Sequence, residues 1–248
     1  MPIKYHNDLI QGSDEWLAAR CGLLTASEMH LIVTPPPKPE TRVKKNGEPY
    51  KQREMTPTEN EKCRTHLYEL MAQRITNYVE PHYVGDDMLR GKDDEIQARI
   101  LYADRYAPVE DVGFITNDRW GFTIGYSPDG LVGDDGLIEC KSRRQKYQIR
   151  TYLECVVEDQ APEEYVLQMQ TGLLVTGRKW CDFVSYSGGL HMVTIRVFPD
   201  PVVQKAIIDA AAAFEDRMAV AMAKYHQVIA SPARLIPTER TVELEMFT

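Results

Sequence analysis

Residues 125–142 read GYSPDGLVGDDGLIECKS, and both fold and chemistry turn on how this stretch is taken. Short β-prone runs broken by Gly and Asp predict strands joined by tight turns. Asp129 follows a proline at the end of one strand, and Glu139-Cys140-Lys141 lies on the next. Strand alternation then puts Glu139 and Lys141 on one face and turns Ile138 and Cys140 the other way, into the core.

Working outward, VGFIT at 112–116 reads as a further strand of the same meander. Trp16 and Leu17 with Leu23 and Leu24 suggest two short N-terminal helices, the second opened near Thr25 or Ser27. Leu67, Leu70, Met71, Ile75 and Tyr78 recur at helical steps, predicting a long amphipathic helix from near Thr58, and a second helix runs from about Gly91 to Tyr106. Downstream come a helix around Pro162 to Thr176, strands KWCDFVSYS and HMVTIRVF, and a long helix from Pro201 to about Ile229. Residues 34–57, rich in Pro and charge, read as a long mobile loop. This order predicts an α/β (α+β) fold, a central mixed β-sheet flanked by helices, in a single domain spanning 1–248.

Two carboxylates converging from adjacent strands supply the hard oxygen ligands that Mg2+ or Mn2+ prefers, and the main-chain carbonyl of Cys140 is a further donor. One or two such ions activate water and polarise a phosphodiester, while Lys141 orients the attacking water or offsets charge in the transition state. No other lysine in the chain has an acidic residue two positions before it. The triplet alone is also what any half-exposed strand contains.

The net charge of −8 argues against indiscriminate nucleic-acid binding, but its distribution is uneven. Arg42, Lys44, Lys45, Lys51 and Arg53 face the single acid Glu48 in one cluster; Lys141, Arg143, Arg144, Lys146 and Arg150 form another without any acid. A local groove for a polyanion and two solvated faces fit this equally. The five cysteines are odd in number and widely spaced, and no histidine pair has zinc spacing, which points to reduced core thiols. Neither a membrane span nor a secretory signal is visible, so a cytosolic protein is expected.

Four motifs in order resemble the phage lambda-type exonuclease family, the YqaJ-like viral recombinases of the PD-(D/E)xK nuclease superfamily, over about residues 11 to 200. They are QGSDEWLAARCGLLTAS, with Gln11, Gly12, Trp16, Arg20, Gly22, Thr25 and Ser27; RGKDDEIQAR, with Glu95 after Gly91-Lys92; SPDG with Glu139-Cys140-Lys141; and YVLQMQTGLLVTG, with Tyr165, Gln168 and Gln170. The resemblance implies a restriction-endonuclease-like core and a Mg2+-dependent 5′-to-3′ exonuclease that degrades one strand of double-stranded DNA from its end. By position it makes Asp129 and Glu139 metal ligands, Lys141 the catalytic lysine, Glu95 a helix carboxylate near the metal and Gln168 part of the catalytic set. Arg20 and Ser27, assisted by Ser127, hold the 5′-phosphate, a task suited to the parallel donors of a guanidinium. It also implies a homotrimeric ring around DNA, a phage single-strand annealing protein as partner, and residence in the bacterial host cytosol. DNA contacts from Lys44, Lys45, Lys51, Arg143 and Arg144 are a hypothesis from charge. Without the family pattern, Arg20 reads equally as a helix residue paired with Glu15 or Glu28, and Glu95 as part of a solvated acidic face. An endonuclease on the same scaffold and a non-catalytic DNA-binding protein are the competing readings.

Overall fold

The computed structural model describes residues 3–34, 55–81, 85–231 and 233–240. Lys44, Lys45 and Lys51 lie outside the described residues. In chain order the elements are β1 (Ile3–His6), α1 (Asp14–Arg20), β2 (Leu24–Thr25), a 3-10 turn (Ala26–Leu31), α2 (Glu61–Thr76), α3 (Asp86–Arg105), β3 (Phe114–Asn117), β4 (Ile124–Tyr126), β5 (Gly130–Val132) and β6 (Gly136–Ser142). There follow α4 (Gln145–Arg150), continuing as a π-helical turn (Thr151–Val156), then α5 (Glu163–Thr176), β7 (Trp180–Tyr186), β8 (Val193–Val197) and α6 (Pro201–Ile229).

The strands form two four-stranded mixed sheets, ordered β1-β3-β4-β2 and β5-β6-β7-β8, rather than one central sheet. The break falls at Ser127-Pro128-Asp129, where proline has no N–H to give a ladder. In the second sheet β6 runs parallel to β7, with Glu139 opposite Phe183 and Lys141 opposite Ser185. Helices cover both faces of β6. Ile138 and Cys140 join Ala98 and Tyr102 of α3 with Val132 and Val184 in a smaller core, as alternation predicts. Leu137, on the Glu139 face, belongs to the larger core with Leu173 and Phe214.

α5 is buried along its whole second half, from Met169 to Thr176. Its threonines are tolerated there because each hydroxyl donates back to the helix, Thr171 to the Leu167 carbonyl at 2.6 Å and Thr176 to Gly172 at 2.7 Å. α6 opens on Asp200, whose carboxylate accepts from the Val202 and Val203 N–H groups, and buries one stripe through Val203, Ile207, Ala210, Phe214 and Met218.

Three expectations shift. α2 starts at Glu61 rather than Thr58, because the Thr58 N–H is committed to the Ile32 carbonyl at 2.8 Å and Asn60 takes the cap. α3 begins at Asp86, so Gly91 sits inside it. The second N-terminal helix is a short 3-10 helix, Ala26–Leu31.

Two glycine variants test the packing. An added Cβ at Gly172 would stand 2.7 Å from the Tyr126 ring, whereas one at Gly91 meets nothing within 4 Å. Thermal unfolding should show Gly172→Ala destabilised by about 1–3 kcal/mol through overpacking and Gly91→Ala stabilised by about 0.5–1 kcal/mol. Equal Tm changes in the two variants would contradict this packing.

Candidate active site

β6 delivers Glu139 and Lys141 on one face, and α5 crosses that face. Glu139 is wholly buried. Its Oε1 accepts from Lys141 Nζ at 2.6 Å and from the Gln168 amide, while Oε2 accepts from the Tyr126 hydroxyl at 3.0 Å. Asp129 turns back from the end of β4, so that its Oδ2 accepts the Cys140 N–H at 2.6 Å. Asp129, Glu139, Lys141 and Gln168 are thus brought together. Glu95, half-buried on α3, lies within electrostatic reach of Arg99, Lys141 and Glu139. The neighbouring Asp94 accepts from Ser142 Oγ at 2.5 Å, which ties this part of α3 to the end of β6.

Burial, reinforced by Glu139, pushes the Asp129 carboxyl well above the usual carboxylate range, and burial likewise raises Glu95. At Lys141 burial opposes the charge, but Glu139 and Asp129 outweigh it and raise the ammonium above its ordinary value. Asp129 and Glu95 are thus reluctant to ionise beside Glu139 on their own, and a cation that takes the place of their protons would offset the charge, the condition that favours metal binding. Among the described residues no three His, Cys, Asp or Glu side chains converge as a cage. The donors on offer are two carboxylates and the Cys140 carbonyl, hard oxygens that suit Mg2+ or Mn2+ with water completing the shell.

A second cluster lies at α1. The Arg20 guanidinium stacks 4.4 Å from the Trp16 ring centroid and donates to Thr25 Oγ1 at 3.2 Å. Trp16 Nε1 donates to Ser127 Oγ at 2.9 Å and to the Gly113 carbonyl at 3.1 Å, and Gln11 donates to the Pro128 carbonyl at 2.9 Å. Arg20 is therefore linked through one aromatic ring to the turn that carries Asp129. The exposed Ser27 has its Oγ 3.2 Å from Thr25 Oγ1. Gly22, at φ 69°, permits the close approach of α2: its N–H donates to Gln73 Oε1 at 2.8 Å and Arg74 Nε donates to its carbonyl at 2.8 Å. Of the two pairings open to Arg20, the structure shows Glu28, at 3.8 Å.

The two arginines of the second basic cluster expected to contact DNA, Arg143 and Arg144, are placed differently. Arg143 is buried, with its Nη1 donating to Tyr165 OH at 2.6 Å and to Glu164 at 3.2 Å, so it braces α5 against β6 and does not present its charge to solvent. Arg144 is exposed. Tyr126 is a site residue that sequence reasoning passed over. Its place in GYSPDG, just before the Asp129 turn, was the available signal. All five cysteines are free thiols. No helix among the described residues is long and apolar enough to cross a membrane.

The fold has relatives among solved structures. The crystal structure of an alkaline exonuclease (LHK-Exo) from Laribacter hongkongensis superposes with a TM-score of 0.69 at 29% identity, covering 88% of this chain and 98% of that one. The same protein in complex with dAMP gives 0.69 at 30% identity, with the same coverage. A phage related exonuclease from Haemophilus somnus 129PT shares the fold, with a TM-score of 0.53 at 12% identity over 82% of this chain and 96% of that one. No curated protein matches the chain. The profile of the YqaJ-like viral recombinase domain matches residues 15–179, three of the four motifs and most of the site's elements lie wholly inside that span, and the chain belongs to this family.

Proposed function

We propose that this protein is a metal-dependent 5′-to-3′ exodeoxyribonuclease that degrades one strand of linear double-stranded DNA from a 5′-phosphorylated end, releasing mononucleotides and leaving a 3′ overhang. The observation that carries the reading is the pairing of two sites on one turn: the Asp129–Glu139–Lys141–Gln168 cluster and the Arg20–Trp16–Ser127 chain. A site that only cuts within a duplex has no need of a terminal-phosphate grip. That LHK-Exo has been crystallised with dAMP, a mononucleotide, supports the same product class.

In this mechanism Asp129, Glu139 and the Cys140 carbonyl hold one or two Mg2+, or Mn2+ in its place, with Glu95 acting through water. A bound ion supplies Lewis-acid polarisation of the scissile phosphate and lowers the pKa of the attacking water. The chain does the rest. Lys141, held protonated by Glu139, orients that water and offsets charge on the phosphorane-like transition state. Tyr126 and Gln168 fix the Glu139 carboxylate so that its oxygens keep one orientation. Arg20 grips the terminal phosphate, Ser27 and Ser127 add hydroxyl donors, and the scissile bond is thereby placed at a set distance from the 5′ end. DNA contacts from Lys44, Lys45, Lys51 and Arg144, a closed trimeric ring that keeps the duplex threaded, a single-strand annealing protein as partner in phage-type recombination, and action in the host cytosol belong to the same proposal.

Timed digestion with Mg2+ tests the polarity: 5′-phosphorylated linear duplex should release mononucleotides faster than 5′-hydroxyl duplex, and covalently closed circles should survive. Cutting of the circle overturns the exonuclease in favour of an endonuclease. Lys141→Ala should lower kcat by about 10²–10³-fold, and Asp129→Ala should remove activity; wild-type rates in both would contradict this site, and DNA binding without nucleotide release by the unaltered protein would leave only a DNA-binding protein.

The raised Asp129 and Glu95 carboxyls set a pH dependence. In the metal-free protein the folded state keeps protons that the unfolded chain gives up. Their contribution to stability is therefore full below the ordinary carboxylate range and lost as pH rises through the raised folded values. A cation binds the deprotonated acids, so the Tm increase caused by Mg2+ should grow with pH, and Asp129→Asn should flatten that growth. A Mg2+ effect that shrinks with rising pH contradicts the assignment.

A further inference from the structure

The Arg20 pocket contains an acid of its own. Glu28, on the 3-10 turn, sits with Oε1 3.8 Å from Arg20 Nη2, and its Oε2 accepts from the Thr25 hydroxyl at 2.6 Å. Thr25 Oγ1 is also the atom that Arg20 donates to and that Ser27 Oγ approaches at 3.2 Å. The groups that would hold a terminal phosphate are thus turned toward a carboxylate.

Behind Glu28 stands His66 of α2, 2% exposed. Its Nδ1 is 3.3 Å from the Glu69 carboxylate, which can only accept, so Nδ1 carries a proton. Its Nε2 is buried without a hydrogen-bond partner among the described residues and lies 3.9 Å from Glu28 Oε2. Buried ring nitrogens are normally satisfied, so an orphan facing a carboxylate across a short gap calls for an explanation. The imidazole ring is packed with the Phe214 ring, 5.8 Å between centroids, whereas Glu28 is the more exposed partner, its side chain 27% accessible. The carboxylate is the part free to move.

We propose that Glu28 is the resident anion of the Arg20 pocket and that His66 receives it when a 5′-phosphate takes its place. This inference rests on the phosphate-pocket reading of Arg20. A phosphate offers more charge and more acceptor oxygens than one carboxylate, and it repels Glu28 from the guanidinium. A shift of about 1 Å brings Glu28 within hydrogen-bond reach of His66 Nε2. That contact needs one proton, on the imidazole or on the carboxylate, taken from solvent as Glu28 leaves Arg20. The charged groups facing the exchange are Arg20 from α1, Glu28 from the turn and Glu69 from α2. A DNA end without a phosphate does not drive the exchange, so Glu28 and His66 act as positioning residues that sharpen the choice of end.

Steady-state kinetics on 5′-phosphorylated and 5′-hydroxyl duplexes test this with four variants. His66→Leu should raise KM for phosphorylated ends by about tenfold, with kcat and the hydroxyl-end KM unchanged, and His66→Gln should recover most of the loss through its amide donor. Glu28→Gln should lower KM for phosphorylated ends, and in the Glu28→Gln/His66→Leu double variant the histidine defect should vanish. An equal KM change for both ends, or a defect that persists in the double variant, overturns the proposal. If His66→Leu fails to fold, Glu28→Gln decides: an unchanged KM for phosphorylated ends sinks it. Arg20→Ala separates the two readings. Loss of phosphate preference there with silent Glu28 and His66 variants defeats this inference alone, while retained preference defeats the pocket itself.

Discussion

A fully buried carboxylate, Glu139, is the constraint around which the rest of the structure is arranged. Taking such a group out of water costs several kcal/mol unless donors replace the lost solvent. The chain provides three, each from a different element: Tyr126 from β4, Lys141 from β6 itself and Gln168 from α5. Their convergence requires α5 to lie close over the sheet. Gly172 allows this by leaving room for the Tyr126 ring, and Arg143 holds the start of the helix through Glu164 and Tyr165. The two sites are coupled because Trp16 and Gln11 hydrogen-bond to the Ser127-Pro128 turn that aims Asp129.

Several of these features were legible in the sequence for definite reasons. The two-residue period of a strand is short and rigid, so Glu139 and Lys141 had to share a face and Cys140 had to oppose them. Asp129 was marked by the proline that ends its strand. α6 announced itself through its Asp-Pro start and its stripe of apolar residues, and its bounds agree with the reading. The family pattern pointed to Gln168, which a surface helix would otherwise have explained equally well.

What escaped the sequence depended on contacts between distant segments. A tyrosine in a strand reads as core, and nothing local to Tyr126 discloses that its hydroxyl ends on Glu139. Arg143 looked like one cation of an exposed cluster; its burial comes from Glu164 and Tyr165, more than twenty positions away. The strands Ile3–His6 and Leu24–Thr25 are too short to show a period and exist by pairing with β3 and β4. The division into two sheets follows from a single turn whose effect on strand pairing has no signature in hydrophobic pattern.

The account therefore stands on Glu139 as a buried, donor-held acid in a cation-dependent hydrolytic site. The direct measurement is Mg2+-dependent nucleotide release from 5′-phosphorylated duplex by Glu139→Gln, made alongside circular dichroism and DNA binding. The amide keeps the shape and loses the charge, so a folded variant that still binds DNA and releases no nucleotide is the predicted result. Release at the wild-type rate would contradict the account at its centre.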